Sequence, residues 1–187
     1  GGLKTVMGKL ILVTGGARSG KSSFAEKTAK ELGDRILYIA TSIPLDDEMK
    51  LRIQKHRAQR PSGWETLEVY RDLDTRLEGR LETVDGVLLD CLTIMVTNIM
   101  LEEKEDWDSL TAGEIDAGED IVKAEIEKLI RAAKNSPSPF IVVTNETGMG
   151  VVPDNPLTRA FRDFVGRANQ MIAKEAQEVY LCVAGIP

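Results

Sequence analysis

The chain reads as an α/β protein, a three-layer fold in which a mostly parallel central sheet is flanked by helices on both faces. Three observations predict it. Short, mostly apolar runs recur along the 187 residues, the pattern of strands covered on both faces. Between them lie charged stretches with a helical period or helix-stop signals, the alternation that builds parallel sheets from crossover units. The first apolar run opens into a glycine-rich turn and then a helix-like segment. Neither internal repeats nor low-complexity tracts interrupt this pattern, and the length suits one domain over residues 1–187. Residues 1–8, starting Gly1-Gly2, are expected to be a flexible or partly non-native N-terminal extension.

Each element follows from local pattern. Leu10 to Thr14 is a buried strand, and Ser23 to Leu32 is a helix closed by Gly33. Arg35 to Ala40 is a second strand ending at Thr41-Ser42. Asp46 to Gln59 is a charged helix that must stop before Pro61, because the residue preceding a proline is pushed out of the helical region. Thr66 to Tyr70 alternates like a strand, Gly86 to Asp90 is buried, and Leu92 to Leu101 is apolar and helical. The acidic stretch from Glu102 to Asp120, with Gly113 and Gly118, reads as an exposed connection. Residues 121, 122, 126, 129 and 130 recur with a helix period. Phe140 to Thr144, a helix over Pro156 to Glu175, and Val179 to Val183 complete the order.

Charge and composition narrow the function. A net charge of −6 argues against a general nucleic-acid binder, which would carry a basic patch. No apolar run approaches the ~20 residues of a membrane span, and the N-terminus lacks a signal-peptide layout. Cys91 and Cys182 sit in or beside apolar runs and read as small buried thiols, so the expected location is the cytoplasm.

The loop Gly15-Gly16-Ala17-Arg18-Ser19-Gly20-Lys21-Ser22 matches the phosphate-binding pattern GxxxxGKS in full. Glycines at 15, 16 and 20 are expected to take φ > 0 and let the backbone approach a ligand, with successive N–H groups converging on phosphate. Lys21 would reach the β- and γ-phosphates, and the Ser22 hydroxyl would ligate Mg²⁺. Asp90 ends a buried strand downstream, and a carboxylate there suits the same Mg²⁺ at the carboxyl edge of the sheet.

Other polar residues gather where loops should meet at that edge: Thr41 and Ser42, then Asn145 and Glu146. For Asn145 and Glu146, turn chemistry and ligand contact fit equally. Arg159, Arg162 and Arg167 suit phosphate contact, a surface role or a subunit contact. Methionines at 95, 100, 149 and 171 read as core.

His56 is the sole histidine. On a charged helix it could simply be solvated. Arg57 and Arg60 beside it, however, are cationic forks suited to phosphate, and a neutral imidazole nitrogen can attack an α-phosphorus to give a phosphoramidate. With no second histidine and no cysteine at ligand spacing, it does not read as a metal ligand.

Together these motifs resemble a known family, the bifunctional adenosylcobinamide kinase/adenosylcobinamide-phosphate guanylyltransferases of cobalamin biosynthesis. The resemblance spans Leu10 to Ile186. It rests on Thr14–Ser22, Tyr38-Ile-Ala-Thr-Ser42, Asp46-Asp-Glu-Met49, and Arg52-Ile-x-x-His56-Arg-x-x-Arg60-Pro61-x-x-Trp64. It continues through Asp90-Cys-Leu-Thr93, Asn98, Asn145-Glu-x-Gly-Met-Gly-x-Val-Pro153, Arg159-x-Phe-Arg-Asp163, Gly166-Arg167-x-Asn169-Gln170 and Ala184-Gly-Ile186. The resemblance implies a P-loop fold of the RecA-like type and a homotrimer. ATP or GTP would phosphorylate adenosylcobinamide. GTP would then guanylylate His56, and the GMP would pass to adenosylcobinamide phosphate to give adenosylcobinamide-GDP. By the same resemblance the catalytic residues fall on His56, Lys21 and Asp90. Nucleotide-binding positions fall on Gly15–Ser22, Thr41, Ser42, Ile43, Arg57, Ala58, Gln59, Arg60, Glu68 and Asp90, and the Mg²⁺ ligands on Ser22 and Asp90.

Two departures stand out: Lys55 replaces a second histidine that some relatives carry, and the chain stops at Pro187 where relatives usually run a few residues further. The loop alone also fits a nucleotide-hydrolysing assembly switch or a kinase limited to γ-phosphoryl transfer, neither of which needs His56.

Overall fold

The computed structural model of the chain describes residues 7–44, 46–148 and 154–187. Most of the expected N-terminal extension, and Met149–Pro153 of the tract that begins at Asn145, lie outside the described residues.

Six strands form one sheet in the order β3-β2-β4-β5-β1-β6. They are β1 (Leu10–Gly15), β2 (Ile36–Ala40), β3 (Glu65–Glu68), β4 (Gly86–Asp90), β5 (Phe140–Asn145) and β6 (Glu178–Cys182). Every pairing is parallel, so the expectation of a mostly parallel sheet becomes an entirely parallel one among the described residues. The apolar runs explain why. β2 is buried at all five positions and β1, β4 and β5 at nearly all, so both of their faces must be covered. One face, carrying Leu12, Leu37, Leu89 and Val142, packs on α3 (Leu73–Arg76), α4 (Leu92–Glu103), α5 (Ala112–Lys134) and α6 (Pro156–Glu175). The opposite face, carrying Ile11, Val13, Leu88 and Ile141, packs on α1 (Lys21–Leu32) through Ala25 and Ala29. The remaining long helix, α2 (Asp47–Ala58), buries no side chain at all. Among the described residues no helix is long and apolar enough to cross a membrane.

Helix starts divide into two kinds. Asp46, Thr111 and Asn155 cap α2, α5 and α6 with their own side chains, each accepting from the backbone N–H three residues on. By contrast, α1 and α4 begin without a side-chain cap, at Gly20 and Cys91. Both starts lie at the carboxyl edge of the sheet, leaving N–H groups available to an anion there.

The acidic stretch departs from its expected form. Rather than an exposed connection to residue 120, α5 starts at Ala112, and Trp107 before it is buried. The Trp107 indole donates to Met100 O at 3.0 Å, and its ring meets Phe164 edge-on with centroids 5.7 Å apart. Two glycines and several acids mask the helical period there, while tertiary contacts supply what propensity lacks. Glu119 pairs with Arg167 of α6, and Gly118 lets the indole come close. Arg167 thus ties α5 to α6.

A Cβ at Gly118 would stand 2.5 Å from Trp107 Cη2. The substitution Gly118→Ala improves helix propensity by ~1 kcal/mol. Overpacking a buried indole costs more, about 1–3 kcal/mol. We therefore expect Gly118→Ala to lower stability in chemical denaturation, with a red-shifted Trp107 emission.

Candidate active site

Parallel pairing carries the ends of β1, β2, β4 and β5 to one edge, and the sequence places its polar residues just there. The loop after β1 turns on Gly20, whose φ of 86° is left-handed, and on Arg18, at 54°. Gly15 and Gly16 do not take positive φ, contrary to expectation. Gly15 is required for packing instead, since a Cβ would lie 2.4 Å from Ser19 Oγ and 2.8 Å from Cys182 O. Gly20 also faces Gly185 Cα at 2.8 Å from where a Cβ would be, and Gly185 N donates to Ser19 O at 2.8 Å. The turn after β6 therefore supports the loop from behind. Gly16, Ala17 and Arg18 form its exposed rim, and the Lys21 ammonium lies across it, donating to Gly16 O at 3.0 Å.

A cleft of about 310 Å³ opens beside this loop. Its walls include Ser22, Ser42, His56, Gln59, Arg60 and Asp90, six of the residues singled out from sequence. Tyr38, Trp64, Glu26 and Lys30 line it too. Sequence reasoning gave these four no site role. Glu26 and Lys30 could have been found, because they follow Ser22 at i+4 and i+8 and share one face of α1. Asp90 is held by the Tyr38 hydroxyl, which donates to Oδ2 at 2.6 Å. Burial, reinforced by the Asp90 charge, pushes the Tyr38 phenol far above its ordinary pKa, so it remains a donor throughout the useful pH range.

His56 is exposed on α2. Ile53 and His56 line the cleft three apart on one face of α2, and Arg60, two residues past its end, lines it too. Cys91 lines the same cleft, but burial and the neighbouring Asp90 charge raise its thiol to about 11. Protonated near neutral pH, that thiol is a poor nucleophile beside an imidazole.

The remaining candidates are distributed as follows. A second cavity of about 330 Å³ holds Thr41, Ile43 and Glu68, and it meets the first at Ala40 and Ser42. Thr41 is fully buried. Its hydroxyl donates to Cys91 O at 2.8 Å and accepts from Cys91 N at 2.9 Å, while its carbonyl accepts from Asn98 at 2.6 Å. Thr41 thus ties the end of β2 to the β4–α4 junction through its hydroxyl and to α4 through its carbonyl, while lining the second cavity. Arg57 and Ala58 are exposed on α2 outside both cavities.

At the end of β5, Thr144 donates to Asn169 at 2.6 Å and Asn145 N donates to Thr93 Oγ1 at 2.8 Å. Glu146 accepts from Gly148 N at 2.9 Å, which is turn chemistry. Arg159 donates to Asp154 O, and Arg162 to Gly148 O. Both cysteines are free and buried, as expected.

Hard oxygen donors suit Mg²⁺, and the Ser22 hydroxyl and Asp90 carboxylate line one cleft. Among the described residues no three His, Cys, Asp or Glu side chains gather as a metal cage. A nucleotide-borne Mg²⁺ needs none, since phosphate and water supply most of its ligands.

Comparison with known proteins agrees with this geometry. The family model described as cobinamide kinase / cobinamide phosphate guanyltransferase matches residues 11–187. The bifunctional adenosylcobalamin biosynthesis protein CobU of Salmonella typhimurium is 48% identical over 184 residues, covering 95% of this chain and 97% of that protein. Its Escherichia coli counterpart is 46% identical over the same span. The Pseudomonas aeruginosa protein CobP is 40% identical over 177 residues, 94% of either chain. With a phosphate loop, an acidic strand end and a lone histidine on one cleft, and a match over nearly its whole length, the chain belongs to the cobinamide kinase / cobinamide phosphate guanyltransferase family.

Proposed function

We propose that this transferase carries out its kinase and guanylyltransferase steps at the one cleft, with His56 as the guanylyl carrier. The observation that supports this most directly is that Ser22 and Asp90 on one wall and His56 on another face the same space. Two phosphoryl chemistries that use different phosphorus atoms of a nucleotide need that arrangement.

In the kinase step, the loop N–H groups and Lys21 hold the β- and γ-phosphates of ATP or GTP, with the uncapped start of α1 adding its positive dipole. The acceptor hydroxyl of adenosylcobinamide attacks the γ-phosphorus, the β–γ bridging P–O bond breaks, and the nucleoside diphosphate departs. Ser22 and Asp90 would hold a nucleotide-borne Mg²⁺, which when bound would supply charge neutralisation for the phosphates.

The guanylyl step uses the opposite wall. An imidazole nitrogen of His56 attacks the α-phosphorus of GTP, a P–N bond forms, and the α–β bridging P–O bond breaks to release pyrophosphate. Arg60, just past the end of α2 and lining the same cleft, offers a guanidinium for the phosphate charge. A phosphate oxygen of adenosylcobinamide phosphate then attacks that phosphorus, the P–N bond breaks, and the imidazole is restored. Glu68 and Ile43 in the adjoining cavity, with Thr41 through its backbone, complete the nucleotide-binding set. Gln59, Arg57 and Ala58 of α2 belong to it as well. We further propose that the enzyme works in the cytoplasm as a homotrimer, as the family resemblance implies, and the mass in light scattering tests the trimer.

Incubation with Mg²⁺ and GTP labelled at the α-phosphate should yield a GMP-sized adduct that is lost in acid and survives base. His56→Asn should abolish the adduct while γ-phosphoryl transfer to adenosylcobinamide stays within about threefold of wild type. An adduct persisting in that variant would remove His56 as the nucleophile. Removing one positioned charge donor typically costs about 10²–10³ in rate. Lys21→Ala should therefore lower kinase kcat by about that factor, measured by coupled release of ADP.

A further inference from the structure

We propose that Tyr38 is a positioning residue for both reactions, its hydroxyl orienting Asp90 and its ring face anchoring the C-terminal end of the His56 helix through Arg60. The inference rests on the reading of Asp90 and His56 given above. It goes beyond that reading by assigning a role to a residue that touches no phosphate.

Register creates the first contact. In the parallel β2–β4 pair, Tyr38 lies opposite Leu88, and Ala40 lies opposite Asp90. Tyr38 and Asp90 are therefore diagonal neighbours on one face, within reach of a tyrosine. Among the described residues the phenol is the one side chain hydrogen-bonded to that carboxylate. A hydroxyl fixed on Oδ2 sets the rotation of the carboxylate and leaves Oδ1 for a ligand in the cleft.

The second contact uses the ring. Tyr38 also lies opposite Thr66 of β3. Arg60 spans the two: its guanidinium carbon stands 3.5 Å from the Tyr38 ring centroid, and Nη1 donates to Thr66 Oγ1 at 3.0 Å. A guanidinium over a largely desolvated aromatic face is at the stronger end of cation–π contacts. Trp64 completes the anchor, its ring stacked on Tyr38 at 6.3 Å and 30°. Gly63 allows that turn to seat, since a Cβ there would be 2.4 Å from Asp34 O.

This anchor matters because α2 has so little else. Not one α2 residue is buried, and its ion pairs, Lys50–Asp47 and Arg52–Glu48, are internal to the helix. Arg60 follows His56 by four positions, and Arg60 N donates to Arg57 O, continuing the turn. Clamping Arg60 on Tyr38 therefore sets the rotation of the helix, and with it the direction of His56.

Substitutions separate the two ends of Tyr38. Tyr38→Phe keeps the ring and deletes the hydroxyl. A hydrogen bond to a charged group is worth about tenfold or more, so the Mg²⁺ half-saturation of phosphoryl transfer should rise about tenfold. Amide hydrogen exchange over residues 47–60 of the nucleotide-free protein should match wild type. Tyr38→Leu deletes both contacts. It should share the Mg²⁺ defect, speed exchange over residues 47–60 about five- to tenfold, and slow formation of the His56 adduct at saturating Mg²⁺. Should Tyr38→Leu fail to fold, Arg60→Gln tests the ring contact through α2 exchange in the nucleotide-free protein, which should again be about five- to tenfold faster. GTP binding in EDTA, read by fluorescence, confirms that the phosphate loop is intact in the two Tyr38 variants. An unchanged Mg²⁺ midpoint in Tyr38→Phe, or unchanged α2 exchange in both ring-contact variants, overturns the proposal. A wild-type protein that takes no GMP label instead removes the His56 reading, and the exchange experiment still decides whether Tyr38 anchors the helix.

Discussion

Parallel register among buried strands is the constraint on which this protein depends. β1, β5, β4 and β2 pair so that Gly15 lies opposite Asn145 and Ala40 opposite Asp90. Because all run the same way, every strand delivers its last residue to one edge. A one-residue slip would turn Leu12, Val13, Leu88 and Leu89 to the wrong faces and carry Asp90 away from Tyr38. The hydrophobic requirement and the chemical one are thus met by the same hydrogen-bond ladder. Each buried aliphatic side chain contributes about 1.5–3 kcal/mol to holding it.

Around that frame, chemistry is placed where ordinary stabilisation has been withheld. The helices that start at the cleft, α1 and α4, lack side-chain caps, while α2, α5 and α6 carry them. Leaving N–H groups open costs stability at a helix start and creates an anion site at the same place. α2 goes further and buries nothing, keeping His56, Arg57 and Lys55 in solvent. A helix with so little buried surface opens at less cost than one packed along its length. Elsewhere, restraint is abundant. Glu125 is buried yet accepts from Asp72 N and Lys128, and Thr93, Thr144 and Asn169 form an enclosed chain of hydrogen bonds.

Much of this was legible in the sequence. The mostly apolar runs identified buried strands, and with them a parallel sheet, because no other sheet is covered on both faces so consistently. The phosphate loop was recognisable because its chemistry requires glycine, lysine and serine at set spacing along contiguous chain. Asp90 was legible as the polar end of a buried run, and His56 as a lone imidazole between guanidinium groups. Such features are local, and local sequence carries them.

What only the tertiary structure decided involves residues brought together from afar. Trp107 and the first turns of α5 looked like a solvated connection until Gly118, Phe164 and Arg167 packed against them. The glycines at 15 and 16 looked like left-handed positions, whereas the nearness of Ser19 and Cys182 sets the need at Gly15 and only Gly20 takes positive φ. The Thr41 hydroxyl pairs with Cys91, a contact between distant segments that spacing along the chain does not show. Tyr38 read as one more apolar residue of a strand. Its contacts with Asp90, Arg60 and Thr66 depend on strand register across three neighbours. By itself the sequence determined most of the elements, their order and the phosphate-loop motif, because these depend on periodicity and spacing along one chain. Which of those groups face each other was decided by pairing and packing between distant segments, and no local pattern encodes that.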